Sequence, residues 1–289
     1  MLNKKYISAI LKSRPADSHK GVFGHALLAA GSKGMAGAAV LAARACLRSG
    51  AGLVTVHSAA CNRTVLQTLA PEAMFCSDVE NDWISEVYIN KKYDSAAIGA
   101  GIGKNEKTVS ALKNFFAKID FPCVVDADAL NIIAENKNLL DKIPKNSILT
   151  PHYKEFERLF GKTVSREEQI KIATENALKY RLNIILKGHK TVIINSEGEM
   201  MENTTGNSGM ASGGAGDALT GLLAGLLAQH YQPPHAAQLG VYIHGLAADL
   251  ALDKQSEESL IASDIIENFG KAFCFIRQEI NLPLLAQTN

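Results

Sequence analysis

ALLAAGSKGMAGAAVLAARACLRSGAGLVTV, residues 26–56, contains one complete strand–helix–strand pattern. Ala26 to Ala30 is a short apolar run, and Ala38 to Ser49 carries a helical pattern of small apolar residues. Leu53 to Val56 is a second apolar run, with Gly50 and Gly52 stopping the helix before it. Two short runs joined by a helix read as a βαβ unit, whose strands are parallel. Further strands are predicted at Ser95 to Gly99, Cys123 to Asp126, Ile148 to Thr150 and Ile184 to Lys187. The runs are too apolar for a sheet with one wet face, so helices are expected on both faces. The predicted class is α/β, with a mostly parallel central sheet. Beyond Lys187 the pattern changes, because Thr191 to Asn195 and Met200 to Asn203 flank Ser-Glu-Gly-Glu. That predicts a hairpin and a small antiparallel edge. Helices are expected at Ala218 to Ala228, about Ala236 to Leu252 and about Ala262 to Phe275.

The 289 residues are 47% hydrophobic and 20% charged, with no internal repeat, low-complexity tract or polar linker, which predicts one domain over 1–289. Thirty Lys and Arg against 29 Asp and Glu leave a formal charge of +1, so no global field draws the chain to nucleic acid or an anionic membrane. No apolar run is long enough to span a bilayer, and the N-terminus has a basic start without the apolar core or cleavage site of a secretory signal. A soluble, cytoplasmic protein without membrane or nucleic-acid partners is expected. The cysteines, at 46, 61, 76, 123 and 274, are odd in number and form no Cys-x-x-Cys pair, so they read as reduced thiols.

In an open α/β sheet, ligands bind outside the carboxyl ends of the strands. The strongest chemical signal is NTTGNSGMASGGAGD, Asn203 to Asp217, running into an apolar helix of small residues. Gly213, Gly214, Ala215 and Gly216 let backbone amides crowd at the helix start, where unpaired N–H groups and the dipole favour an anion. Asp217 would repel a phosphate, so its place beside one suits it to take a proton from an attacking hydroxyl. Glycines and acid together suggest phosphoryl transfer; the alternative is a first-turn acid that only stabilises its helix. No P-loop motif is present.

Other strand ends carry weaker signals, each with a plain structural alternative. Gly99-Ala-Gly-Ile-Gly103 is half of a dinucleotide turn or a tight strand-to-helix turn, and Gly31 to Ala39 is a second glycine-rich turn or ordinary helix–sheet packing. Asp126-Ala-Asp128 offers two carboxylates for a metal or polar substrate, or Asp128 caps the next helix. His152, in Thr150-Pro-His152, is a ligand donor or a structural histidine. Lys187-Gly188-His189-Lys190-Thr191 suits polyphosphate contacts or forms a solvated turn.

In this order Ser18-His-Lys-Gly, Ala38-Ala-Val-Leu-Ala-Ala, Arg48-Ser-Gly-Ala-Gly-Leu-Val, Gly99 to Gly103, Asp126-Ala-Asp-Ala-Leu, Leu149-Thr-Pro-His, Leu186-Lys-Gly, Asn203 to Gly225 and Tyr242-Ile-His-Gly-Leu-Ala cover nearly the whole chain. Together they resemble the ribokinase-like fold and, within it, the ADP- or ATP-dependent NAD(P)H-hydrate dehydratases. The resemblance implies repair of hydrated nicotinamide cofactors: a nucleotide phosphorylates the hydroxyl on the reduced ring, and loss of phosphate restores NADH or NADPH. ADP is the donor expected for a compact stand-alone chain, with the S epimer as substrate, AMP and phosphate as products and magnesium as cofactor. Asp217 is implied to meet the ring hydroxyl, and Gly216 with Lys187, Gly188, His189, Lys190 and Thr191 to contact the nucleotide. Ala39, Gly103 and His152 are implied to line the hydrate pocket, and a homo-oligomer, commonly a tetramer, is expected.

Two positions depart from the family pattern. The usual Gly-Pro-Gly turn is Gly99-Ala-Gly101, and the glycine usually preceding Glu-Phe is Lys154. The chain begins near the dehydratase motif, so no N-terminal epimerase domain is expected. Two alternatives stay open at this point: a ribokinase-like kinase of a hydroxymethylpyrimidine, thiazole alcohol or sugar, and a catalytically inactive nucleotide-binding protein.

Overall fold

The computed structural model describes residues 1–89 and 92–278. Seven strands are parallel: β1 (His25–Ala29), β2 (Leu53–Ser58), β3 (Met74–Ser77), β4 (Ser95–Ile98), β5 (Cys123–Val125), β6 (Ile148–Leu149) and β7 (Asn183–Leu186). β8 (Val192–Ile194) and β9 (Met200–Glu202) continue the sheet antiparallel, as the hairpin pattern predicts. The sheet order is β3-β2-β1-β4-β5-β6-β7-β8-β9. The chain therefore builds outward from β1 to one edge, returns to the other side of β1 with β4, and continues away. The gap between the carboxyl ends of β1 and β4 is a topological switch point.

Ten α-helices cover the described sheet: α1 (Lys4–Ile10), α2 (Ala36–Arg48), α3 (Arg63–Leu69), α4 (Glu106–Lys118), α5 (Ala127–Glu135), α6 (Tyr153–Phe160), α7 (Arg166–Tyr180), α8 (Ala215–Ala228), α9 (Pro233–Ala251) and α10 (Ala262–Arg277). Alternate strand residues feed opposite faces. Leu28 and Val124 pack with α2, α8, α9 and α10, whereas Leu27 and Val125 pack with α4 and α5. Beyond them Ile184 and Leu186 of β7 pack on Phe156 of α6 and Ala173 of α7. Both faces are thus dry, which is why the strands read as continuous apolar runs.

The contact between α2 and α8 depends on missing side chains. A Cβ at Gly221 would stand 2.0 Å from the Ala42 carbonyl oxygen, and one at Gly225 would stand 1.9 Å from Ser49 Oγ. Ser95 Oγ donates to the Ala224 carbonyl at 2.7 Å and ties the same helix to β4. This packing fixes where the glycine-rich start of α8 lies relative to the strand ends.

The fold also contains elements beyond the sequence-based expectations. β3 is an edge strand of exposed and half-buried residues, so it has no apolar run to announce it. Helix α7 buries only Gln169, Ala173 and Ala177 among its residues, which leaves a weak helical stripe.

Candidate active site

The parallel strands deliver their following residues to one edge of the sheet: Gly99 after β4, Asp126 after β5, Thr150 after β6 and Lys187 after β7. The start of α8 joins them there. Lys187 Nζ lies 2.8 Å from Asp126 Oδ1 and 3.9 Å from Glu155 Oε2. Thr220 Oγ1, one turn into α8, donates to Asp126 Oδ2 at 2.7 Å. Burial alone would raise the Asp126 pKa, but the Lys187 cation and these donated hydrogen bonds hold it below the usual carboxylate range. Lys187 is correspondingly raised: burial opposes its charge, and Asp126 and Glu155 outweigh burial. The two form an ionised pair with all its charge engaged.

Asp128 caps no helix. Its Oδ2 accepts the Gly103 amide at 2.8 Å, tying the turn after β4 to the first turn of α5. That turn clasps the one after β1, with Gly31 N donating to the Ala100 carbonyl at 2.8 Å and Ser32 Oγ to the Gly101 carbonyl at 2.9 Å. Gly103 therefore sits at the switch point. Ala39 lies beneath the Gly31 turn, fully buried, with its Cβ 2.9 Å from the place a Gly31 Cβ would take.

His152 is the N-cap of α6. Its Nδ1 accepts the amides of Lys154 and Glu155 at 3.1 and 3.3 Å, while Glu155 Oε2 accepts the His152 amide at 2.8 Å. An accepting Nδ1 requires a neutral ring, and burial with the nearby Lys187 charge lowers its pKa accordingly. The ring is about half exposed, with a side-chain accessibility of 49%. The cap accounts for Nδ1 and leaves an exposed ring edge beside the cluster.

At the head of α8, Gly214 is the N-cap with φ +92°, a left-handed conformation, and a Cβ there would meet Leu41 at 2.5 Å. Gly214 supplies the first carbonyl of the ladder, accepting Ala218 N at 3.0 Å, so the amides of Ala215, Gly216 and Asp217 precede the helical hydrogen bonds. A Cβ on Gly216 would project to 3.5 Å from Lys187 Nζ and 3.7 Å from Asp126 Oδ2. The glycine thereby keeps the space between helix start and ion pair open. Asp217, in the first turn, has its pKa pushed up to about 6 by burial and by the charges of Asp126 and Asp128, with Lys187 pulling the other way.

A cavity of about 520 Å³ opens beside Lys187, Gly188, His189 and Lys190, walled by Tyr153 and Val164. Thr191 stands behind it, its hydroxyl donating to the Gly188 carbonyl at 3.2 Å to close the turn. Arg166 Nη2 straps that turn by donating to the Leu186 and Lys190 carbonyls at 3.3 and 3.0 Å. Arg166 escaped the sequence reading because no motif marks it, while Glu155 and Thr220 lie within quoted motifs that do not show which partners they meet. The one local signal was apolar: Val164 is 96% and Tyr153 50% exposed, beside a polar turn. The arrangement places the open amides of a helix start and one perturbed acid at the centre, a cavity lined by Lys187, His189, Lys190 and Arg166 on one flank and the switch-point crevice on the other.

A family model described as NAD(P)H-hydrate dehydratase matches residues 26–270. An ADP-dependent (S)-NAD(P)H-hydrate dehydratase of Bacillus subtilis is 36% identical over 277 residues, covering 93% of this chain and 97% of that protein. A bifunctional NAD(P)H-hydrate repair enzyme of Moorella thermoacetica is 35% identical across 99% of this chain, which spans 56% of that longer protein. The chain thus spans about half the length of its bifunctional relatives. The crystal structure of an ADP/ATP-dependent NAD(P)H-hydrate dehydratase from Bacillus subtilis, co-crystallised with ATP and Mg2+, superposes with a TM-score of 0.84 at 33% identity, covering 95% of this chain and 97% of that one.

Proposed function

The chain belongs to the NAD(P)H-hydrate dehydratase family, and on that premise we propose that it returns the S epimer of hydrated NADH and NADPH to NADH and NADPH, using ADP and releasing AMP and phosphate. The observation that carries this reading is Asp217, an acid with a pKa of about 6 immediately beyond the open amides of the α8 start. ADP lies in the cavity beside the Lys187 to Thr191 turn, with Tyr153 and Val164 against its base. Its terminal phosphoryl rests on the amides at Gly213, Gly214, Ala215 and Gly216. The hydrated ring occupies the crevice bordered by Gly103, with Ala39 beneath it and the exposed edge of His152 beside it.

Asp217 accepts the proton of the ring hydroxyl as the oxygen attacks the terminal phosphorus. The new O–P bond forms and the bond to AMP breaks. The ring C–O bond then breaks with its electron pair going to the departing phosphate, and that phosphate takes the proton lost from the neighbouring ring carbon as the ring double bond returns. The Lys187–Asp126 pair, neutral overall, keeps Lys187 oriented at the cradle without a net charge that would immobilise product. A base of pKa near 6 is matched to this task near neutral pH, being mostly ionised yet not too weak a proton acceptor.

Magnesium fits as a passenger on the donor's phosphates. No three His, Cys, Asp or Glu side chains among the described residues converge as a metal cage, and Asp126 is engaged by Lys187 and Thr220. Asp128 remains as the oxygen donor for an ion carried by substrate. When bound, the ion neutralises charge on the transferring group. The family resemblance further supports a cytoplasmic homotetramer, which sedimentation and cell fractionation test.

Purified protein with hydrated NADH and ADP tests the reading. Regained absorbance of the dihydronicotinamide ring with release of inorganic phosphate is expected. A stable phosphorylated product would instead identify a small-molecule kinase, and no turnover of either kind would leave a binding protein.

A further inference from the structure

A second cavity, about 490 Å³, lies on the opposite edge of the sheet. Its lining includes Phe23, which precedes β1, and Gly50, which precedes β2, together with the ends of α2 and α8 remote from the glycine cradle. Four cations meet in that lining, Lys12, Arg14, Arg48 and Arg277, and no Asp or Glu of the described residues accompanies them.

Helix capping explains part of this. Lys12 Nζ donates to the Gln229 and His230 carbonyls at 3.2 and 2.7 Å, Arg14 Nη1 to the Gly50 carbonyl at 3.0 Å and Arg277 Nη2 to the Lys12 carbonyl at 2.9 Å. A helix carboxyl end offers only about half an elementary charge, so carbonyls do not neutralise this set. Arg48, in the last turn of α2, makes no hydrogen bond or ion pair with the described residues, so capping does not account for it at all. Burial and the neighbouring Arg277 charge lower the Arg14 pKa, as expected of cations crowded without counter-charge.

The walls are aromatic as well as cationic. The Arg14 guanidinium lies 3.4 Å from the Phe23 ring centroid, and Lys12 Nζ lies 4.6 Å from that of Tyr231. The rings hold those two cations in the wall, and the cations together with the guanidinium fork of Arg48 suit a dianion. The volume falls within the range of small-molecule pockets. We propose that this cavity is a second ligand site, which takes a phosphate monoester.

The site is separate from the donor cavity, but two helices run from it to the candidate active site. Helix α8 carries Asp217 at its start and Leu226 at the second cavity, and α2 carries Ala39 near its start and Arg48 at the cavity. At 1.5 Å per residue, α8 spans roughly 14 Å between Asp217 and Leu226.

Phenyl phosphate is the probe, titrated calorimetrically into the full chain in the presence of excess adenosine, which carries no phosphate. One molecule is expected to bind per chain, with affinity falling as salt rises. Arg48→Gln should weaken it several-fold and Arg48→Gln with Arg277→Gln about tenfold or more, the loss of about 1.4 kcal/mol. Arg48 holds no other group, so its single variant tests the site even if loss of Arg277 disturbs the fold. No binding at millimolar probe, equal binding by the Arg48 variant, or equal binding of phenol would each overturn the proposal. Because the substitutions lie across the sheet from Lys187 and Asp217, their effect reads this cavity whether or not adenosine occupies the other.

Discussion

Lys187 Nζ stands 2.8 Å from Asp126 Oδ1 beneath the glycine start of α8, and this pair sets the protonation of Asp217 from the side. Asp126 pushes the Asp217 pKa up and Lys187 pulls it down, so the acid is tuned by two opposed charges in addition to burial. Replacing Lys187 by Met leaves Asp126 buried and unpaired. The Asp217 pKa then rises further above 6, and the chain loses about 3 kcal/mol of stability, as for other buried ion pairs broken on one side. Urea unfolding and the pH–rate profile of the variant check both; an acid limb at or below that of the parent contradicts the assignment.

The parent profile is itself a test. With Asp217 as the base at a pKa of about 6, log kcat/KM should fall with unit slope as pH drops below that value. A profile flat down to pH 5 would exclude this acid as the essential base.

Asp217 also costs stability. Its folded pKa of about 6 lies above the ordinary 3.8, so the folded chain holds more protons than the unfolded one between these values. Stability from this group therefore declines as pH rises through that window and stays lost at neutral pH. Asp217→Asn should raise the melting temperature at pH 7, with a gain on the order of 1–2 kcal/mol, and the advantage should vanish near pH 4. Equal melting of both proteins at pH 7 would mean that the carboxylate is well solvated.

A second buried pair joins β2 to the segment after β3. His57 Nε2 lies 3.1 Å from Asp78 Oδ2, with Cys76 Sγ 3.4 Å from Nδ1, and Ser85 Oγ donates to Asp78 at 2.6 Å. Burial opposes both charges, yet the mutual hydrogen bonds raise the His57 pKa and depress that of Asp78. The Asp78 contribution is present above the ordinary carboxylate value and lost as pH falls through its folded pKa. That of His57 is complete below its ordinary 6.5 and lost as pH rises through its raised value. Asp78→Asn should cost about 3 kcal/mol, most at about pH 4–6.5, as measured by urea unfolding at pH 5.5 and pH 8. A cost that is the same at both pH values would show that the ring is not protonated.

Gly221→Ala addresses the packing that aims α8. With a Cβ 2.0 Å from the Ala42 carbonyl oxygen, neither backbone has a rotamer to give, and a loss of at least about 2 kcal/mol is expected by thermal unfolding. A neutral substitution would show that α8 slides easily on α2.

Sheet class, antiparallel edge and glycine-plus-acid segment were legible because each is a local pattern: apolar runs, a turn between two of them, glycines before a helix. The ribokinase-like architecture, shared with solved relatives, was legible through the order of short motifs. What the chain did not announce depends on distance in sequence. Thr220 reaches Asp126 across 94 positions, and Lys187 reaches it across 61. Asp128, next to a helix start, reads locally as a cap, yet its carboxylate serves the Gly103 turn of a different strand. His152 shows the converse, since its cap of α6 could be read from neighbouring residues, while its exposed edge only acquires meaning beside Lys187 and Asp126.

The most direct measurement compares Asp217→Asn with the parent on hydrated NADH and ADP at pH 7.5, following ring absorbance alongside nucleotide binding. Unchanged ADP affinity with turnover reduced by about three orders of magnitude or more is predicted, since the helix start keeps its amides while the proton acceptor is lost. Turnover within tenfold of the parent would contradict the central role given to this carboxylate.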